Sequence, residues 1–247
     1  MNATRAIRKK KELYLFAIAG ICVSLGAMIR IVYILKQSVQ PRDAYLYEEI
    51  IAQWETTGNY FSKLKVFPLS LWIMKIPSHF FDCSVITGGV LTNIILGLLI
   101  IILSVYTQGH YFKNNTVALI AGLLATTHPE LVYYSCSCLR ENTYLFFAFL
   151  SATFCLKYSD HTRVADLLTS AVFGALAFLC RLEGLEFVVI FNIILLYLVV
   201  FKKMRFFKAV CHSLAYVSTF VLSSVVVCYS LHFGTLTYND VILKFSF

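Results

Sequence analysis

The chain has 247 residues, 59% of them hydrophobic and only 14% charged, which is more apolar surface than a soluble fold of this size can bury. At about 20 apolar residues per bilayer crossing, it can supply several membrane helices and little extramembrane mass, so any active site must use short loops and helix ends. Lys and Arg outnumber Asp and Glu by 21 to 13, for a net charge of +8, but no basic soluble module is visible to bind nucleic acid.

Arg5, Arg8, Lys9, Lys10 and Lys11 precede an apolar run from Leu13 to Ile29 that resumes after Arg30 as far as Leu35. The run is too long for the apolar core of a secretory signal and reads as an uncleaved first transmembrane helix. Apolar length and charged punctuation place spans at 13–36, 84–107, 116–134, 139–157, 165–181, 185–201 and 208–232. The expectation is an all-α, polytopic membrane protein of about seven transmembrane helices, forming a single transmembrane domain over 1–247. Pro129 should bend or end the third span near His128.

The basic N-terminal run and the Lys202, Lys203, Arg205, Lys208 cluster should both face the cytoplasm. Segments 108–115 and 157–163 then share that side, so the N-x-T at Asn114 is not expected to carry a glycan. The opposite, outer face receives 37–82, 128–140 and 181–186. Within the first outer loop, 37–82, Tyr47, Ile50, Ile51 and Trp54 recur at helical spacing while Glu48, Glu49 and Glu55 fall off that stripe. This predicts an amphipathic helix on the membrane surface, ended by Thr57 and Gly58. The apolar stretch from Phe67 to Phe81 predicts a second interfacial helix, interrupted at Pro68 and Pro77.

The ionisable residues that do not fit the hydropathy converge on that outer face: Asp43, Glu48 and Glu49; Glu130, Arg140 and Glu141; Arg181, Glu183 and Glu186. Charged groups at one interfacial depth can line a wet cavity, and the mixture suits an anionic, lipid-linked substrate. Arg offers phosphate a planar fork of donors, and a carboxylate beside it can take a proton from a nucleophile. Each residue also has a plainer reading. Asp43 can cap the helix it opens, Glu141 can sit favourably at a helix N-terminus, and Arg140 and Arg181 can snorkel to the interface. Glu48 and Glu49 fit a solvated face, and Tyr47 fits the apolar stripe. Arg140 and Glu141 are sequence neighbours and should not pair with each other. Most of the eight cysteines sit singly in apolar runs, where Cys is a small hydrophobe. The C-x-C at Cys136 and Cys138 is too sparse for zinc, and the histidines have no metal-ligand spacing, so no metal is expected.

Three stretches together resemble a known family. They are Arg30-Ile31-Val32-Tyr33 followed by Pro41-Arg42-Asp43-Ala44-Tyr45-Leu46-Tyr47, with Gly58 and Phe67-Pro68-Leu69 downstream; His128-Pro129-Glu130 through Leu139-Arg140-Glu141; and Leu179-Cys180-Arg181-Leu182-Glu183-Gly184. Their order and common face resemble the N-terminal half of GT-C integral-membrane glycosyltransferases. The nearest group is the protein O-mannosyltransferase-like branch that includes aminoarabinose and lipopolysaccharide galacturonosyltransferases.

The resemblance implies a transferase that takes a sugar from a polyprenyl-phosphate carrier on the non-cytoplasmic face and passes it to a lipid, glycan or protein acceptor. It needs no cofactor beyond that donor. On the matching positions Asp43 is the general base, Arg140 and Arg181 bind the donor phosphate and stabilise its leaving charge, and Glu141 orients substrate; Tyr47, one helical turn after Asp43, and Glu48 are further candidates to orient substrate in the same pocket. The implied location is a bacterial inner membrane, with the N-terminus cytoplasmic. Two features depart from the family: Ala44 stands where many relatives have a second acid, and family members are longer, with further spans. The alternative reading is a truncated, non-catalytic relative that binds carrier lipid or a partner transferase, using the arginines but not Asp43. A transporter is disfavoured because the charges cluster at one interface rather than at the bilayer midplane.

Overall fold

The computed structural model describes residues 2–57, 68–201 and 204–230, with backbone only for 2–11. Gly58, Phe67, Lys202 and Lys203 lie outside the described residues. All regular structure among the described residues is helical. The helices are α1 (Asn2–Lys36), α2 (Arg42–Thr57), α3 (Pro68–Phe80), α4 (Val85–Tyr111), α5 (Asn115–Thr127), α6 (Pro129–Cys136), α7 (Glu141–His161), α8 (Val164–Phe178), a 3₁₀ turn (Leu182–Leu185), α9 (Glu186–Phe201) and α10 (Phe206–Ser230).

Four stretches are long and apolar enough to cross a bilayer: Glu12–Lys36, Val85–Tyr111, Leu182–Phe201 and Phe206–Ser230. The protein is therefore a multi-pass membrane protein. Helices α5 and α8 are apolar but shorter, at 13 and 15 residues, so the expected count of about seven is not reached by length and hydropathy. The third expected span breaks where Pro129 predicts. His128 closes α5 and opens α6, because proline is accommodated at the first position of a new helix but not inside a continuing one. Asn114 is the N-cap of α5, its side-chain oxygen accepting the Thr116 N–H at 2.8 Å.

Helix α4 is the organising element, packing against α1, α3, α5, α6 and α7. One core joins α1, α4 and α5 through Leu15, Cys22, Ile101, Val105 and Ala118. A second joins α7, α8, α9 and α10 through Tyr158, Leu167, Ala175, Phe191 and Tyr216. Large aliphatic side chains elsewhere on α9 and α10 point outward, as lipid contact requires.

The first outer loop corrects one expectation. Helix α2 forms as the pattern predicts, but its stripe of Tyr47, Ile50 and Ile51 is buried against Leu71, Met74, Cys138 and Leu139. The apolar face of α2 is thus covered by protein rather than by the membrane surface. Helix α3 forms across Pro77 and likewise buries Leu69, Leu71 and Met74. The Leu69 N–H donates to the carbonyl of Leu179 at 3.3 Å, tying the first outer loop to the turn that carries Arg181.

Candidate active site

Of the residues singled out in three separate segments, Asp43, Tyr47, Arg140, Glu141, Arg181 and Glu183 come together around α2, the start of α7 and the turn at 179–185. Asp43 lies in the first turn of α2 with its side chain exposed. One turn later, Tyr47 is 2% exposed, yet its hydroxyl lies within electrostatic reach of Arg140, Glu141 and Asp43. Burial pushes the Tyr47 phenol well above its usual range; Arg140 opposes that, and Glu141 and Asp43 reinforce it. Tyr47 therefore remains a protonated hydrogen-bond donor and packs in the core while touching the site. Glu48 is half-buried on the side of Cys138, and Glu49 is exposed, accepting from Gln53 at 3.5 Å. Ala44 is fully buried in the same apolar cluster, so an acid there would be desolvated without a partner.

The two arginines are in opposite situations. Arg181 is fully engaged. Its Nη1 donates to Glu141 Oε1 at 2.6 Å, and its Nε and Nη2 fork onto both oxygens of Glu183. The guanidinium also stands 5.9 Å from the Tyr144 ring centroid. The Glu183 carboxylate, and then Glu141, hold the Arg181 proton more firmly than usual. Glu141 thus pairs across to the next outer turn and not with its neighbour Arg140, as side-chain directions on a helix require. Glu183 belongs to this cluster; its two-residue spacing from Arg181 in an extended turn was the available sign.

Arg140 has none of this. It is the N-cap residue of α7 but makes no capping bond. It is half-buried, its Nε is buried without a hydrogen-bond partner, and among the described residues no carboxylate lies within ion-pair distance of it. It interacts electrostatically with Tyr47, Cys180 and Glu183, which places it between the α2 side and the Arg181 side of the cluster. The second oxygen of Glu141 is also buried without a partner. A half-buried guanidinium with an unpartnered Nε is chemically able to receive an anion.

Cys136 and Cys138 are both free and fully buried. Cys136 Sγ donates to the carbonyl of Arg30 at 3.6 Å, and Cys138 Sγ lies 4.0 Å from the Met74 sulfur. They act as packing residues there.

Residues 65–229 match the profile of the dolichyl-phosphate-mannose-protein mannosyltransferase family. The chain belongs to that family. Its members are membrane glycosyltransferases of the GT-C type, and membership points to glycosyl transfer as the general chemistry. The matched region contains Arg140, Glu141, Arg181 and Glu183 and begins after Asp43, Tyr47 and Glu48. No curated protein matches the chain.

Proposed function

We propose that this protein transfers a sugar from a polyprenyl-phosphate carrier to a lipid, glycan or protein acceptor on the non-cytoplasmic face of a membrane, with Asp43 as general base. The observation that carries the reading is Arg140: a half-buried cation with a buried, unpaired Nε, on the same side of the bundle as the exposed Asp43. Leaving such a group unpaired is destabilising unless substrate completes it. A phosphate diester from the carrier supplies what Arg140 lacks, because the charge on phosphate grows as the bond to the anomeric carbon breaks.

In this mechanism Arg140 is the donor-phosphate residue. Arg181, already saturated by two carboxylates, holds Glu141 and Glu183 in place and presents a neutralised edge to the sugar. Asp43, in water at the mouth of the site, takes the proton of the acceptor hydroxyl as that oxygen attacks the anomeric carbon and phosphate departs. The Tyr47 hydroxyl bridges the two ends of the site as a neutral donor, and Glu48 lines the α2 side. A topology with the N-terminus in the cytoplasm and about seven crossings fits the distribution of basic residues, and the family resemblance favours a bacterial inner membrane.

The test is sugar transfer by protein purified in detergent, supplied with carrier lipids radiolabelled in the sugar. Asp43→Asn keeps the shape and removes the base; transfer should fall by about 10²–10⁴-fold while membrane insertion and melting temperature stay as in the wild type. Transfer at the wild-type rate by the Asp43→Asn variant refutes the assignment.

A further inference from the structure

The segment that delivers Arg140 is not helical. Between Cys136, the last residue of α6, and Glu141, the first of α7, the chain runs extended at Ser137 and turns back through a Leu139 N–H bond to the Ser137 carbonyl at 2.9 Å. Such a strap, buried at Ser137, Cys138 and Leu139 inside a membrane bundle, must have its backbone polar groups satisfied by something other than a helix.

A single side chain does most of this. Asn93 is fully buried in α4, about 12 Å from its N-terminal end by helix rise. Its Nδ2 donates to the carbonyls of both Ser137 and Leu139, each at 2.7 Å. Asn142, also fully buried, returns the contact from the first turn of α7, donating to the backbone carbonyl of Asn93 at 2.6 Å. The surface of α4 is cut to receive the strap. Gly89 and Gly97 lie one turn before and one turn after Asn93 on the same face. A Cβ at Gly89 would collide with Cys138 Sγ in the strap, and one at Gly97 would collide with Ser135 Oγ in the last turn of α6, just before the strap. The strap also reaches the other side of the site. The Cys138 N–H donates to Gln40 Oε1 at 3.1 Å, and Gln37 Nε2 donates to Ser137 Oγ at 3.4 Å, both from the linker that leads into Asp43.

We propose that Asn93 is a positioning residue of the transfer site: by holding the carbonyls on either side of Cys138, it fixes the strap that presents Arg140 to the donor phosphate and, through Gln40, the linker that presents Asp43. This rests on the reading of Arg140 as the phosphate-binding residue. Asn93 touches no substrate; it acts by removing the strap's freedom to carry the guanidinium away from the site. A polar residue at this depth in a membrane helix is unfavourable by itself, and one whose two donor hydrogens both go to a non-helical segment is placed for that segment.

The experiment is a double-mutant cycle in detergent-solubilised protein, reading the Kd for undecaprenyl phosphate and the KM for the radiolabelled donor. The variants are Asn93→Asp, which keeps the shape but puts a carboxylate where two donors stood; Asn93→Gln, which keeps the donors; Arg140→Gln; and the Asn93→Asp, Arg140→Gln double. Asn93→Asp is expected to weaken undecaprenyl phosphate binding and raise KM by about 10-fold or more, with a smaller change in kcat and with the protein still monodisperse. Asn93→Gln should recover part of the loss, and the double variant should bind no worse than Arg140→Gln alone, since both changes remove the same interaction.

Wild-type binding by Asn93→Asp would overturn the proposal. So would losses that multiply in the double variant, which would mean Asn93 acts independently of Arg140. If Asn93→Asp proves unstable, the partial rescue by Asn93→Gln and the coupling of Gln40→Ala to Arg140→Gln decide the same question, and the absence of both overturns it. Wild-type affinity in Arg140→Gln is a separate result: it refutes the phosphate role of Arg140 and the positioning role of Asn93 with it.

Discussion

Two inter-helix turns of this protein each deliver one arginine, and they treat it in opposite ways. The turn after α8 neutralises Arg181 at once, with Glu183 two residues on and Glu141 from the neighbouring helix. The strap before α7 leaves Arg140 without a carboxylate and instead directs hydrogen bonds to the backbone around it, through Asn93 and Gln40. On the proposed reading, the paired cation is structural and the open one binds the donor phosphate. Charge alone does not separate the two arginines; their partners are what the proposed reading rests on.

The comparison can be broken by exchanging roles. Arg140→Gln should reduce sugar transfer by about 10²–10³-fold, the scale of losing one stabilising donor to a developing anion, with little change in melting temperature. Arg181→Gln should do the reverse. It strands Glu141, which is half-buried, and frees Glu183, which is exposed, so with solvent screening it should destabilise the fold by about 1–2 kcal/mol, while its effect on donor binding stays smaller than that of Arg140→Gln. Thermal melting followed beside Kd separates the two. Gly89→Ala should cost about 1–3 kcal/mol, because the new methyl meets Cys138 at the strap and overpacked sites relax poorly. The smallest effect belongs to Lys75→Met. The Lys75–Glu55 bridge at 3.0 Å is largely exposed, so its loss should cost under about 1 kcal/mol and leave transfer unchanged.

Much of the candidate site was legible in the sequence, and the reasons are local. Asp43, Arg140, Glu141 and Arg181 stood out because charges are rare in so apolar a chain and because hydropathy puts their segments on one face. The break at His128 followed from Pro129, and the separation of Arg140 from Glu141 followed from helix geometry. The cross-pairing of Arg181 with Glu141 was not legible, since it joins residues forty positions apart through packing of α7 against α8. Asn93 and Asn142 were invisible for a different reason. A single amide inside a long apolar run barely changes hydropathy, and only the placement of the strap shows that its donors are in use. The apolar stripe of α2 gave the helix correctly but not its covering, because amphipathicity reports that a face is buried and not whether protein or lipid buries it.

The most direct test of the account is the affinity of undecaprenyl phosphate for the purified wild type, Arg140→Gln and Arg181→Gln under one salt condition. The account predicts that Arg140→Gln loses binding by about 10-fold or more and that Arg181→Gln loses far less. Equal or reversed losses would mean that the paired arginine, not the open one, holds the phosphate, and would contradict the central claim.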